Sequence, residues 1–165
     1  MSLYLDLIEQ TEHLARREVT KPRQASLRRA ISVAYYTLFH LLIDDAARKL
    51  IPSVPASLRR QARRAFAHGE MRNACEQFTR LSLVFSRLLA PPVESELQLL
   101  AEAFVELQRQ RHVADYDLAE TFDRSEVLDL IGLAKSAVSA WNKVRDRPNA
   151  NVFLTALLLG SRWSR

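Results

Sequence analysis

Hydrophobic positions along this chain recur with helical spacing almost throughout, and prolines and glycines interrupt them at a few places. Leu3, Leu7, Leu14 and Ala15 predict a first helix over 3–18, which the Lys21-Pro22 pair breaks. Residues 24–50 keep the pattern without interruption, and Pro52 and Pro55 bracket the connection that follows. From Ser57 to Leu89 the spacing is helical again except at His68-Gly69, where glycine offers a helix stop; two helices are expected, 57–67 and 70–89. Pro91-Pro92 closes that stretch. A helix over 93–117 follows, with glutamates near its start to suit the positive end of the dipole. Asp123 or Ser125 is expected to cap the next helix, which runs to about Asp146, and an apolar helix over 148–162 follows, opened by Pro148.

The predicted fold class is all-α, built of long helices with shorter ones between them and a C-terminal helix. Three glycines in 165 residues are too few for many short strands joined by tight turns. The loops are too short to divide the chain, so one domain over 1–165 is expected. The single cysteine, Cys75, has no internal partner, which favours a reducing cytoplasm. The opening MSLYLDLIEQ has acids at Asp6 and Glu9 and does not read as a signal peptide, and no apolar run approaches the roughly 20 residues of a membrane span, so no membrane association is expected.

Charge is unevenly distributed. The formal net charge is +5, made up of +7 over 1–90, −7 over 94–129 and +5 over the remainder. Arg59, Arg60, Arg63 and Arg64 fall within six residues, a basic patch that suits phosphate oxygens and equally suits a solvated face. No aromatic residue interleaves these arginines, as base stacking would require.

Candidate chemistry lies on two of the predicted helices. On 24–50, Ile31, Ala34, Tyr35, Leu38, Leu41 and Leu42 share one broad face, and Arg29, Val33, Tyr36 and His40 gather on the opposite side. That second face is either packed, in a bundle or a dimer, or it lines a groove. On 93–117 the stripe Leu97, Leu100, Phe104, Leu107 continues into Arg111 and Asp115, neighbours at i and i+4, while Arg109, His112 and Tyr116 lie about 100° round. This concentration of polar groups at a helix end fits an ion-pair cluster or a binding site. The four histidines and one cysteine show no metal-ligand spacing, and there is no glycine-rich phosphate loop or Gly-x-Ser-x-Gly elbow; no metal or cofactor is expected.

The run Leu27-Arg28-Arg29-Ala30-Ile31-Ser32-Val33-Ala34-Tyr35-Tyr36-Thr37-Leu38-Phe39-His40 resembles a helix of the HEPN family, whose pattern is Arg-Ala-x-Ser-x-Ala-Tyr-Tyr-x-x-Phe-His. Arg111-His112-Val113-Ala114-Asp115-Tyr116 is similar to the Arg-x-x-Ala-Asp-Tyr ending of the small stand-alone bacterial branch, as is the stretch His68-Gly69 through Phe78. The resemblance spans about 5–145 and leaves 148–162 without a counterpart. It implies a HEPN-like bundle of four main helices with additional short helices, here with a C-terminal helix added, commonly a homodimer, partnered by a minimal nucleotidyltransferase in a toxin–antitoxin pair. Catalytic relatives are metal-independent ribonucleases that place a histidine four to six residues after an arginine on the late helix. Here His112 follows Arg109 and Arg111 by three and one residues, and Asp115-Tyr116 occupies the family position. The one pair with that spacing, Arg63 and His68, lies elsewhere.

The function expected first is a module that binds RNA, a nucleotide or a partner protein through a groove of Arg29, Tyr36, His40, Arg109, Arg111, Asp115 and Tyr116. Its alternatives are a ribonuclease using His40 or His112 with Arg109 or Arg111, and a structural homodimer assembled through Val33, Tyr36 and Ile43.

Overall fold

A computed structural model describes residues 2–160 and Trp163. Among these the chain is all-helical, with eight helices: α1 (Leu3–Arg16), α2 (Gln24–Leu50), α3 (Ala56–Arg64), α4 (His68–Thr79), α5 (Leu83–Leu88), α6 (Ser95–Tyr116), α7 (Arg124–Val144) and α8 (Pro148–Leu159). None is long and apolar enough to cross a membrane.

The prolines act as expected: α2 begins two residues after Pro22 and ends two before Pro52, and Pro148 occupies the first turn of α8, where a missing N–H costs nothing. Asp123, not Ser125, caps α7. Its carboxylate accepts the Glu126 backbone N–H at 2.9 Å, while the Glu126 carboxylate accepts the Asp123 N–H at 2.9 Å, a reciprocal capping box.

Two expectations are corrected. Gly69 is not a helix stop: α3 ends at Arg64, the chain turns through 65–67, and Gly69 lies in the first turn of α4 without positive φ. The expected helix over 70–89 is two helices. Leu81 adopts a left-handed φ of 44°, its N–H reaches the Phe78 carbonyl at 2.9 Å, and the Ser82 N–H reaches the Gln77 carbonyl at 3.0 Å. Those two bonds form a Schellman cap on α4 with leucine where glycine is usual. For the last helix, 161 and 162 lie outside the described residues.

The chain forms two compact units. One comprises Met1–Leu41 and Glu106–Ser139. Its core takes Ala15 from α1, Leu27, Ile31, Tyr35 and Leu38 from α2, Leu107 and Ala114 from α6, and Val127, Ile131 and Ala134 from α7. Lys135 of α7 pairs with Glu12 of α1 at 2.5 Å. The other comprises Leu42–Val105 and Ala140–Arg165. Its core is aromatic: Phe78 meets Phe85 and Phe153 edge-on at 5.2 and 5.1 Å, and Trp141 lies 6.5 Å from Phe153. Asp45 is 1% exposed there and binds the Trp141 indole N–H and the Arg145 guanidinium, both at 2.6 Å.

Candidate functional site

The i, i+4 row Arg28, Ser32, Tyr36, His40 runs along α2 and meets the last turns of α6. Arg28 donates to the carbonyls of Ala114 and Asp117 at 2.9 Å each and to that of Glu120, satisfying one acceptor that the last turn of α6 leaves open and two in the segment that follows, and its guanidinium lies 5.5 Å from the Phe122 ring centre. Gln24 secures the same segment by accepting the Phe122 N–H at 3.0 Å and donating to the Phe122 carbonyl at 2.7 Å.

Arg111 is the centre of the cluster. Its Nε lies 2.6 Å from Asp115 Oδ2, an ionic contact off the N–H axis, and its Nη2 donates to the Tyr36 hydroxyl at 3.2 Å. The guanidinium carbon stands 5.9, 5.6 and 5.9 Å from the ring centres of Tyr35, Tyr36 and Tyr116. Asp115 Oδ1 accepts the Ser32 hydroxyl at 2.5 Å. The Arg111 side chain is 18% exposed, so its charge is largely withdrawn from water and answered by one carboxylate and three rings. Beside it, Tyr36 and His40 stack at 6.0 Å between ring centres, and His112 lies 4.9 Å from Tyr116, which is 64% exposed.

The structure thus brings together Tyr36, His40, Arg111, His112, Asp115 and Tyr116. It leaves out two expected groove residues. Arg29 is exposed and takes no part. Arg109 is held on its own helix by Glu106, through bonds of 2.9 and 2.7 Å; these hold the Glu106 carboxyl below its ordinary value. Of the face expected for a homodimer, Val33 and Ile43 are 2% and 6% exposed within the chain itself, whereas Tyr36 is partly exposed. The basic patch divides. Arg59 donates to the Pro52 carbonyl at 3.0 Å and Arg63 pairs with Asp44, while Arg60 and Arg64 are exposed. Among the described residues no group of three or more His, Cys, Asp or Glu is arranged to hold a metal ion.

Sequence reasoning missed Arg28 and Ser32, although both lie on the row reached by stepping back four residues at a time from Tyr36. Compared with protein-family models, curated proteins and solved structures, the chain matches none.

Proposed function

We propose that this chain is a HEPN-like helical module that binds single-stranded RNA without cleaving it, works as a homodimer, and is partnered by a nucleotidyltransferase of the toxin–antitoxin type. The observation that carries the non-catalytic part is the state of Arg111. A ribonuclease arginine must be available to offset charge building on phosphate, whereas this one is paired with Asp115, held against three tyrosine rings and only 18% exposed. Asp115 sets a second negative charge where a phosphate would have to stand. What remains accessible is aromatic: His112 and Tyr116 are exposed, and Tyr36 and His40 are partly so. Such rings suit the faces of unpaired bases.

The test combines binding and cleavage. Fluorescence anisotropy with a labelled mixed-sequence oligoribonucleotide should show binding that weakens about 5- to 100-fold in Tyr116→Ala, the range for loss of one stacked base. The same RNA incubated with protein in chelator should stay intact. Absence of binding at about 100 µM protein, a weak limit for nucleic-acid contacts, defeats the RNA reading. Cleavage by the wild type that is lost in His40→Ala or His112→Ala establishes the ribonuclease alternative.

A further inference from the structure

The unit formed by Met1–Leu41 and Glu106–Ser139 contains a second feature, a cavity of about 520 Å³ between the end of α6 and the start of α7. Its apolar lining consists of Phe122, which is buried, and Val113, Leu130 and Leu133. Four carboxylates line it: Asp117, Glu120, Glu126 and Asp129. Its one cation, Arg109, is already bound by Glu106. Asp117 and Glu126 are partly occupied, accepting the N–H groups of Ala119 and Asp123, whereas Glu120 and Asp129 are exposed and their carboxylates have no partner among the described residues. An apolar lining combined with two unanswered carboxylates suits a guest with an aliphatic stem and a cationic head.

The same chain carries such a guest. No residue of α3 is buried, although a nine-residue helix is well short of the roughly 12–15 residues that stand alone in water. Arg59 and Arg63 tie it down. Arg60 and Arg64, one turn apart, are exposed and unpartnered among the described residues, and Leu58 is 52% exposed. The charge pattern matches as well: −7 over 94–129 against +7 over 1–90.

We infer that the acid-lined cavity of one copy receives the Arg60–Arg64 face of α3 from a second copy of this chain. This rests on the homodimer reading and supplies a contact for it, since Val33 and Ile43 of the face first expected are already buried. Complementary exposed charges steer and orient such a contact, and salt weakens it.

The experiment is sedimentation velocity with charge reversal and mixing. Wild type is expected to self-associate at about 10–200 µM, the range of a small contact, and to dissociate as salt rises from about 50 to 500 mM. Arg60→Glu/Arg64→Glu removes the guest, and Glu120→Lys/Asp129→Lys removes the host. Each alone is expected to weaken self-association at least about tenfold. An equimolar mixture of the two should recover association, because one copy still offers a cavity and the other still offers α3. Circular dichroism establishes that each variant is folded, and the neutral pair Arg60→Ala/Arg64→Ala and Glu120→Gln/Asp129→Asn replaces any that is not. A monomeric wild type defeats both this inference and the homodimer reading. Variants that dimerise as wild type does defeat the inference and leave the homodimer standing, and so does a mixture of folded variants that fails to recover association. Uptake of a peptide with the α3 sequence by a wild type that stays monomeric identifies a foreign basic segment as the guest and overturns self-association.

Discussion

Replacing Asp45 by Asn tests how the aromatic unit is held together. Asp45 Oδ2 takes the Trp141 indole N–H at 2.6 Å, and Oδ1 takes Arg145 at 2.6 Å and Arg48 at 2.9 Å. Asparagine keeps the volume and one acceptor, which satisfies either the indole or the arginines. Whichever loses, an amide N–H₂ faces another donor. Arg48 is 49% exposed and returns to water at small cost; Arg145 is 29% exposed and Trp141 is fully buried, so theirs are the expensive losses. Losing a hydrogen bond to a charged acceptor costs about 1.5–3 kcal/mol, and stranding a partly buried charge raises the total to about 3–4 kcal/mol. In a chain of this size that lowers Tm by about 6–15 °C. Urea unfolding followed by Trp fluorescence and by circular dichroism measures the loss, and Trp141→Phe combined with Asp45→Asn gives the coupling, expected at about 1–2 kcal/mol. A loss under about 1 kcal/mol, or additive effects, would refute the claim that this buried carboxylate organises the unit.

Leu81→Gly removes the steric cost of a left-handed leucine and is expected to raise stability by about 0.5–1 kcal/mol, read as a higher urea midpoint; an unchanged or lower midpoint counts against the Schellman cap. Asp123→Ala opens the capping box and should lower Tm at neutral pH. Hydrogen bonds from Ser125 and Glu126 hold the Asp123 carboxyl below its ordinary 3.8, so its contribution is present above that pH and lost as pH falls through the depressed value, where variant and wild type should converge. Glu106→Gln should behave alike: the Arg109 hydrogen bond lowers the Glu106 carboxyl below 4.5, and the gap in Tm, visible at neutral pH, should close in acid. Burial pushes the Cys75 thiol far above its ordinary value, so native protein should react with a disulfide reagent at least about 100-fold slower than unfolded protein; comparable rates would contradict that burial.

What the sequence revealed and what it hid divide along physical lines. The bounds of α2 were legible because proline removes a donor and restricts its predecessor, effects that act within a residue or two. The break between α4 and α5 was hidden because Thr79 to Ser82 contains no glycine or proline, and only the observed φ of Leu81 reveals the turn. The same locality governs the cluster. Arg111 and Asp115 were paired by their i, i+4 spacing alone, whereas Ser32 and Tyr36, which complete it, lie 83 and 75 residues away from the groups they contact. Arg109 shows the converse error: its helical face was read correctly, but Glu106, one turn earlier, holds it. The packed side of α2 was foreseen as one of two outcomes, and the burial of Val33 and Thr37 settles that stretch as packed while Tyr36 and His40 stay partly open.

The segment after α6 is bonded at the Asp117 and Glu120 carbonyls by Arg28, which also holds the Ala114 carbonyl inside α6, and on both sides of Phe122 by Gln24, so Asp117, Glu120 and Phe122 are held by α2. A molecule entering beside them does not have to freeze a loop, a step that costs about 1–2 kcal/mol for each backbone residue ordered. For the inferred contact at this rim, the expectation is rigid-body docking, limited by encounter rather than rearrangement. Clipping either α2 side chain shifts that balance: with Gln24→Ala or Arg28→Ala the carboxylates remain, but each encounter first has to rebuild the edge they stand on.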